Sequence, residues 1–203
     1  MGRITRKESH AQTRERLIDT AHRLFLSDGY NATSLDKVAT EAGFSKGAVY
    51  SNFSTKHELG LAVLDVIHRE RARSLADAVR GVDTVEGRID AFATWAEANI
   101  GDVGWTALEV EFATSTRRVE GVGQQLAARR RELTAAVAGL IEQQAADLGL
   151  TLASPAEDAA VQLLSLGIGL GVQRAFDPDL SVASLVDLLR SLLESAESAE
   201  SAE

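Results

Sequence analysis

The chain has 203 residues, with 21 Lys and Arg against 30 Asp and Glu for a net charge of −9, no cysteine and two prolines. That length can bury a real core in one or two small domains, and the absence of cysteine excludes disulfides and thiolate metal sites. Many Ala, Leu, Glu and Arg without runs of alternating β-branched residues exclude an extensive sheet, and no apolar stretch has the length of a signal region or membrane span, so an all-α cytoplasmic protein with no membrane partner is expected.

The first helix is predicted around Leu17, Ile18, Ala21, Leu24 and Phe25, which recur at helical spacing until Gly29 stops the run. Residues 33–58, TSLDKVATEAGFSKGAVYSNFSTKHE, then carry the spacing of a helix-turn-helix followed by a capped third helix. Ala39 is small enough to admit a crossing helix, Gly43 can take the left-handed conformation that ends a helix, and Val49 fills the space between the two. Thr33 with Asp36 reads as a capping box with Asp in place of Glu. Ser45 reads as an N-cap, and Thr55 with Glu58 as a third start. Residues 1–58 are therefore expected to form a three-helix DNA-binding head with a basic N-terminal arm.

Charge is divided along the chain in the same sense. Residues 1–60 hold nine Lys and Arg against seven acids, and residues 61–203 hold twelve against twenty-three. All four lysines, Lys7, Lys37, Lys46 and Lys56, fall in the first part, and Arg3, Arg6, Arg14 and Arg16 add to the arm. Such polarity lets the head face phosphates while the acidic remainder discourages indiscriminate adhesion. The second helix of such a motif enters the major groove with its N-terminal residues against base edges, so Ser45, Lys46, Gly47, Ser51 and Asn52 are the expected contacts. Lys46 can donate to guanine or to phosphate, Gly47 leaves room for close approach, and Tyr50 and Lys56 are expected on phosphates. The competing roles are a cap alone for Ser45 and core for Tyr50 and Phe53, which for Phe53 is the stronger reading. Ser34-x-x-Lys37 matches a β-lactamase-type nucleophile motif, but the companion S-D-N and K-T-G are absent.

In GFSKGAVYSNFSTKHEL, the residues Gly43, Ser45, Lys46, Gly47, Tyr50, Phe53 and Lys56 follow the order that recurs in one family of regulators. Residues 13–60 resemble the N-terminal domain of TetR-family (tetracycline-repressor-like) transcriptional regulators. Beyond them the likeness is only one of helical pattern and length. The resemblance implies that Thr33 or Ser34 touches the DNA backbone. It also implies that residues 59–194 form a helical effector-binding and dimerisation domain.

That second part reads as a helix from about Leu59 to Val79, another through Val85, Ile89, Phe92 and Ala96, and a loop at 101–104. Trp105, Leu108 and Phe112 then follow at helical spacing, and Leu126 to Leu148 define a long helix. If the family's pocket is present, Phe92, Trp95, Trp105 and Phe112 supply aromatic walls for an apolar or aromatic small-molecule effector. Glu109, Arg130 and Gln144 interrupt those stripes and are the expected polar contacts. The plainer reading makes the aromatics core and lets Arg130 extend to water. The four histidines show no metal-ligand spacing, so neither metal nor cofactor is expected.

Residues 156–175 and 181–194 carry more apolar surface than one neighbouring core requires. Leu163, Leu166, Gly167, Leu170, Leu185, Leu188, Leu189 and Leu192 are the expected homodimer interface, with the glycines permitting close approach. The glycine-rich run is no phosphate loop, since no strand precedes it. Residues 195–203 are expected to form an acidic low-complexity tail, either a frayed helix end or a solvated segment. With the resemblance, the expectation is a ligand-responsive repressor. It binds an inverted-repeat operator as a homodimer, is released by an effector, and is not an enzyme. The alternatives are an architectural DNA-binding protein without an effector, and a small-molecule carrier that has kept a DNA-binding head.

Overall fold

The computed structural model describes the backbone of residues 6–152 and 154–200, and side chains of 8–152 and 154–193. Among the described residues there are nine helices and no strand. They are α1 (Arg6–Asp28), α2 (Leu35–Ala42), α3 (Lys46–Asn52), α4 (Lys56–Val79), α5 (Val85–Asn99), α6 (Val103–Thr116), α7 (Val122–Asp147), α8 (Ala156–Arg174) and α9 (Ala183–Glu200). No helix among those residues is long and apolar enough to cross a membrane.

Helix starts follow local chemistry closely. Ser34, Ser45 and Thr84 each stand in extended backbone and accept from an N–H three residues on, satisfying one of the donors a helix start leaves open. The cap of α2 is thus Ser34 and not Thr33, which is buried and donates its hydroxyl to the carbonyl of Gly29. At α4, Thr55 accepts from the N–H of Glu58 at 3.1 Å. The Glu58 carboxylate returns to the N–H and hydroxyl of Ser54, at 2.8 and 2.9 Å. This box starts α4 three residues before Leu59. At the far end α9 continues to Glu200 and takes in part of the acidic segment expected as a tail; residues 201–203 lie outside the described residues.

The chain divides into two compact units at places other than residue 58. The head unit runs through Ile67 and also takes in Ala107–Leu126, and the body unit comprises His68–Thr106 and the chain from Ala127 onward. Leu59, Leu61, Val63 and Leu64 are all buried. In the head, Phe112 meets Tyr30 edge-on with ring centroids 5.0 Å apart, and Tyr30 meets Phe25 at 5.2 Å. Gly60 makes this possible, because a Cβ there would stand 2.4 Å from the Phe112 ring. In the body, Phe92, Ala96, Leu170, Val182 and Leu185 form a buried cluster, and Ala138, Ala156 and Ala160 form a second.

Candidate functional site

Helices α2 and α3 are joined by a turn that Gly43 makes possible. Gly43 has φ +72°, and the N–H of Phe44 donates to the carbonyl of Ala39 at 2.9 Å, closing the end of α2. Ala39 and Val49 are buried, whereas Ser45, Lys46, Gly47, Tyr50 and Ser51 face outward. Ser45 accepts from Ala48 at 3.2 Å, and the Ser51 hydroxyl donates to the Ala48 carbonyl. Tyr50 is 54% exposed, which rules out a core role. A Cβ on Gly47 would meet nothing closer than Ser45 Oγ at 3.9 Å. Nothing within the chain therefore requires glycine there, and the open backbone is left to an outside partner.

Three expected DNA contacts are placed differently. Thr33 is 1% exposed with its hydroxyl spent on the α1 end, so its side chain cannot reach a phosphate, whereas Ser34 is exposed. Asn52 is 9% exposed and donates its amide to the Ala48 carbonyl, turning back on its own helix. Lys56 lies across the ring of Tyr30, its Nζ 4.3 Å from the centroid, and donates to the Asn31 carbonyl at 3.2 Å. Burial pushes its pKa down, partly countered by the charge of Glu111. The basic arm is redistributed as well. Arg14 stacks over Phe53 and donates to the carbonyl of Asn52, and Arg16 stacks over Phe44 and donates to the carbonyl of Ala42. These arginines fasten α1 to the carbonyl ends of α3 and α2, where a helix favours positive charge. Arg3 lies outside the described residues, as do the side chains of Arg6 and Lys7.

The two exposed lysines of the motif are each held by an acid. Lys46 pairs with Asp36, and Lys37 pairs with Asp28 at 2.6 Å. Donating to the Asp36 carboxylate raises the Lys46 pKa, and accepting from Lys37 and then Ser27 lowers that of Asp28. Lys37 was no expected contact, yet its exposure on the first turn of α2 puts a cation beside Ser34. A lysine three residues after a cap, on the polar side of the helix, was the available signal.

Glu111 was missed altogether. Its carboxylate accepts from the backbone N–H of Tyr30 at 2.8 Å and of Asn31 at 3.0 Å, clasping the turn between α1 and α2. The Tyr30 hydroxyl lies 2.8 Å from His57 Nδ1. Burial, and then the nearby Glu111 charge, push the Tyr30 phenol up to about 12. No local pattern links positions 30 and 111.

The body unit holds a partly open cavity of about 210 Å³. Phe92, Trp95, Trp105 and Gln144, four of the residues expected as ligand contacts, line it together with Arg71, Arg88 and many aliphatic side chains. Three expected ligand contacts do not. Phe112 is fully buried in the head against Tyr30 and Gly60, Glu109 is half-buried in the head unit, and Arg130 is exposed. Their shared helical phase with cavity residues carried the expectation, but α6 is divided between units after Thr106. The cavity's polar groups are largely engaged. Arg88 donates to the carbonyls of Val82 and Gln144 and to Gln144 Oε1, and Arg71 donates to Asn99 and stacks on Trp105 at 4.6 Å. Among the described residues, no group of three His, Asp or Glu is placed to hold a metal ion.

Residues 17–63, which contain the whole α2–α3 pair, match the family described as bacterial regulatory proteins, tetR family. The head carries a TetR-family DNA-binding domain. A curated relative, the HTH-type transcriptional regulator TtgR of Pseudomonas putida, is 39% identical over 80 residues. That match covers 39% of this chain and 38% of the relative's length. The fold is shared more widely. A TetR-family transcriptional regulator from Streptomyces coelicolor superimposes with a TM-score of 0.65 at 22% identity, over 92% of this chain and 96% of its own. A transcriptional regulator from Saccharomonospora viridis, solved in complex with choline, does so with 0.64 at 18%, over 91% and 96%.

In the body unit the expected dimer face is redistributed as well. Gly167, Leu170 and Leu185 are buried in the chain's own core, and Leu163, Leu166 and Leu189 pack against it. Only Leu188 and Leu192 remain half-exposed without belonging to that cluster. The apolar excess of α8 and α9 goes first to their packing on each other and on α5. Val103, 56% exposed, Val161, 51% exposed, and Phe176, 87% exposed, are the large apolar groups left outside among the body's described residues.

Proposed function

We propose that the chain is a ligand-responsive transcription regulator of the TetR family, a homodimer that represses by binding an inverted-repeat operator through α3. The observation that carries this is the outward row of Ser45, Lys46, Gly47, Tyr50 and Ser51 on a capped helix, within residues matching the family. Ser34 and Lys37 add backbone contacts from α2, and Lys46 exchanges Asp36 for DNA. The homodimer presents two such helices to successive major-groove faces. A small molecule in the body cavity favours a head arrangement that fits DNA less well, and operator binding weakens effector binding by the same factor. A choline complex in a protein of this fold supports a small-molecule role for the body. No catalytic role is assigned, in keeping with relatives named as transcription regulators.

Selection of genomic fragments with purified protein, followed by salt-dependent binding to the enriched DNA, tests the reading. An inverted repeat should be recovered. Lys46→Met should weaken binding and, if Lys46 contacts phosphate, lower the salt slope by about one. No enrichment over random DNA would sink it.

A further inference from the structure

We infer that Asp36 restrains sequence-indifferent DNA binding: it holds Lys46 off phosphate on any sequence and so reserves that lysine for a base-edge acceptor. This rests on the reading of α3 as the DNA-binding helix. Asp36 lies in the first turn of α2, and Lys46 is the first residue of α3. The Gly43 turn brings the two side chains into an ion pair, and both remain exposed. Lys46 is the partner the structure gives the Asp36 carboxylate, while the Asp36 backbone carbonyl accepts from the Thr40 hydroxyl.

The pair is not needed to tie the two helices together. Val38, Ala39 and Val49 are buried, α2 packs on α3, and the N–H of Phe44 closes the turn, whereas an exposed ion pair adds little to stability. Lys37, the other lysine of the motif, is held in the same way by Asp28. Residues 33–54 contain two lysines and two acids, so the motif carries no net charge. Sequence-indifferent affinity comes from cations that neutralise phosphates and release counterions, and a neutral motif adds little to it.

The two kinds of acceptor on DNA are affected differently. To reach a phosphate, Lys46 must turn from Asp36, and the freed carboxylate is left close to an added anion that repels it. Guanine O6 and N7 are neutral acceptors, so turning to them adds no such repulsion. Parting the exposed pair costs little in itself; the penalty lies in what the freed carboxylate then faces. Asp36 therefore subtracts most from binding wherever Lys46 has only phosphate to meet.

Fluorescence anisotropy on the full-length protein tests this with a random-sequence duplex and the recovered inverted repeat, each over a salt series. Asp36→Asn keeps the shape of the side chain and removes its charge. Binding to the random duplex should tighten about threefold for each head engaged, with a salt slope steeper by about one per head. The inverted repeat should gain less than about 1.5-fold per head, so the ratio of the two affinities falls. In the Lys46→Met background the same substitution should lose most of its effect on the random duplex, because Asp36 acts through Lys46. Asp36→Glu, which restores the carboxylate, should return the random duplex toward its wild-type affinity. If Asp36→Asn does not fold, as judged by circular dichroism, Asp36→Ser takes its place. Unchanged binding to the random duplex, an equal gain on both duplexes, or an equal gain without Lys46 overturns the inference. A recovered repeat with no gain on random DNA sinks the restraint alone. If no repeat is recovered while Asp36→Asn still tightens the random duplex through Lys46, the operator reading falls and the restraint stands.

Discussion

In the head, the groups offered to a partner lie outside and the interior is closed; in the body, the space offered to a partner lies inside. Ser45, Lys46 and Tyr50 are exposed around a core that Phe25, Tyr30 and Phe112 fill edge-to-face. Trp95 and Trp105 instead border a cavity, and the two arginines on its wall, Arg71 and Arg88, donate to carbonyl and amide oxygens. The difference shows what each unit can recognise. Exposed lysines with weak acid partners can exchange those partners for phosphate at little net cost, because exposed ion pairs contribute only about 0–1 kcal/mol. An apolar cavity discriminates instead by shape and by the cost of burying charge.

The comparison breaks first at Phe112, which sequence spacing assigned to the body's cavity and the structure assigns to the head's core. Phe112→Ala should cost about 3–5 kcal/mol in chemical denaturation of the head. A loss below about 1 kcal/mol would take Phe112 out of the head's core. Next comes Tyr30. Its folded-state pKa of about 12 lies above the unfolded value near 10, so the phenol's contribution is complete below pH 10 and is lost as pH rises through 12. Melting between those pH values should show a loss on the order of 2–3 kcal/mol, absent in Tyr30→Phe.

Glu111 sharpens the head side further. Glu111→Ala removes the acceptor for two backbone N–H groups and should cost about 1–3 kcal/mol, with hydrogen exchange accelerated at Tyr30 and Asn31. Unchanged exchange there would remove Glu111 from the clasp. The smallest expected effect is at a cap. Ser34→Ala should lower stability by about 1 kcal/mol through the lost bond to the Lys37 N–H. A loss of DNA affinity beyond that explained by stability would add a phosphate contact at Ser34.

The head was legible because its signals are local. A serine before a helix, a glycine after one and a small residue at the crossing act within a few positions, and Ser45, Gly43 and Ala39 behave as their spacing predicts. Reading failed in the head where a polar side chain had a choice of partner. Thr33, Asn52 and Lys56 are the right types for DNA, but each finds a nearer partner within the chain, and competition between partners is not written in spacing. In the body, helical phase put Trp105 and Phe112 on one stripe. The division of α6 between the two units then sent them to different interiors.

The amino-acid sequence by itself determined the helical elements, the caps at Ser45 and Thr55 and the TetR-family motif, because these depend on backbone conformation and hydrogen bonds a few residues apart. Only the tertiary structure decided that Glu111 clasps the turn at Tyr30, that Arg14 and Arg16 close helix ends, and that the body keeps an apolar cavity lined by Trp95 and Trp105. Those outcomes depend on which distant groups meet and how completely they fill the volume between them. A helical stripe specifies the face a side chain occupies; packing specifies what stands opposite.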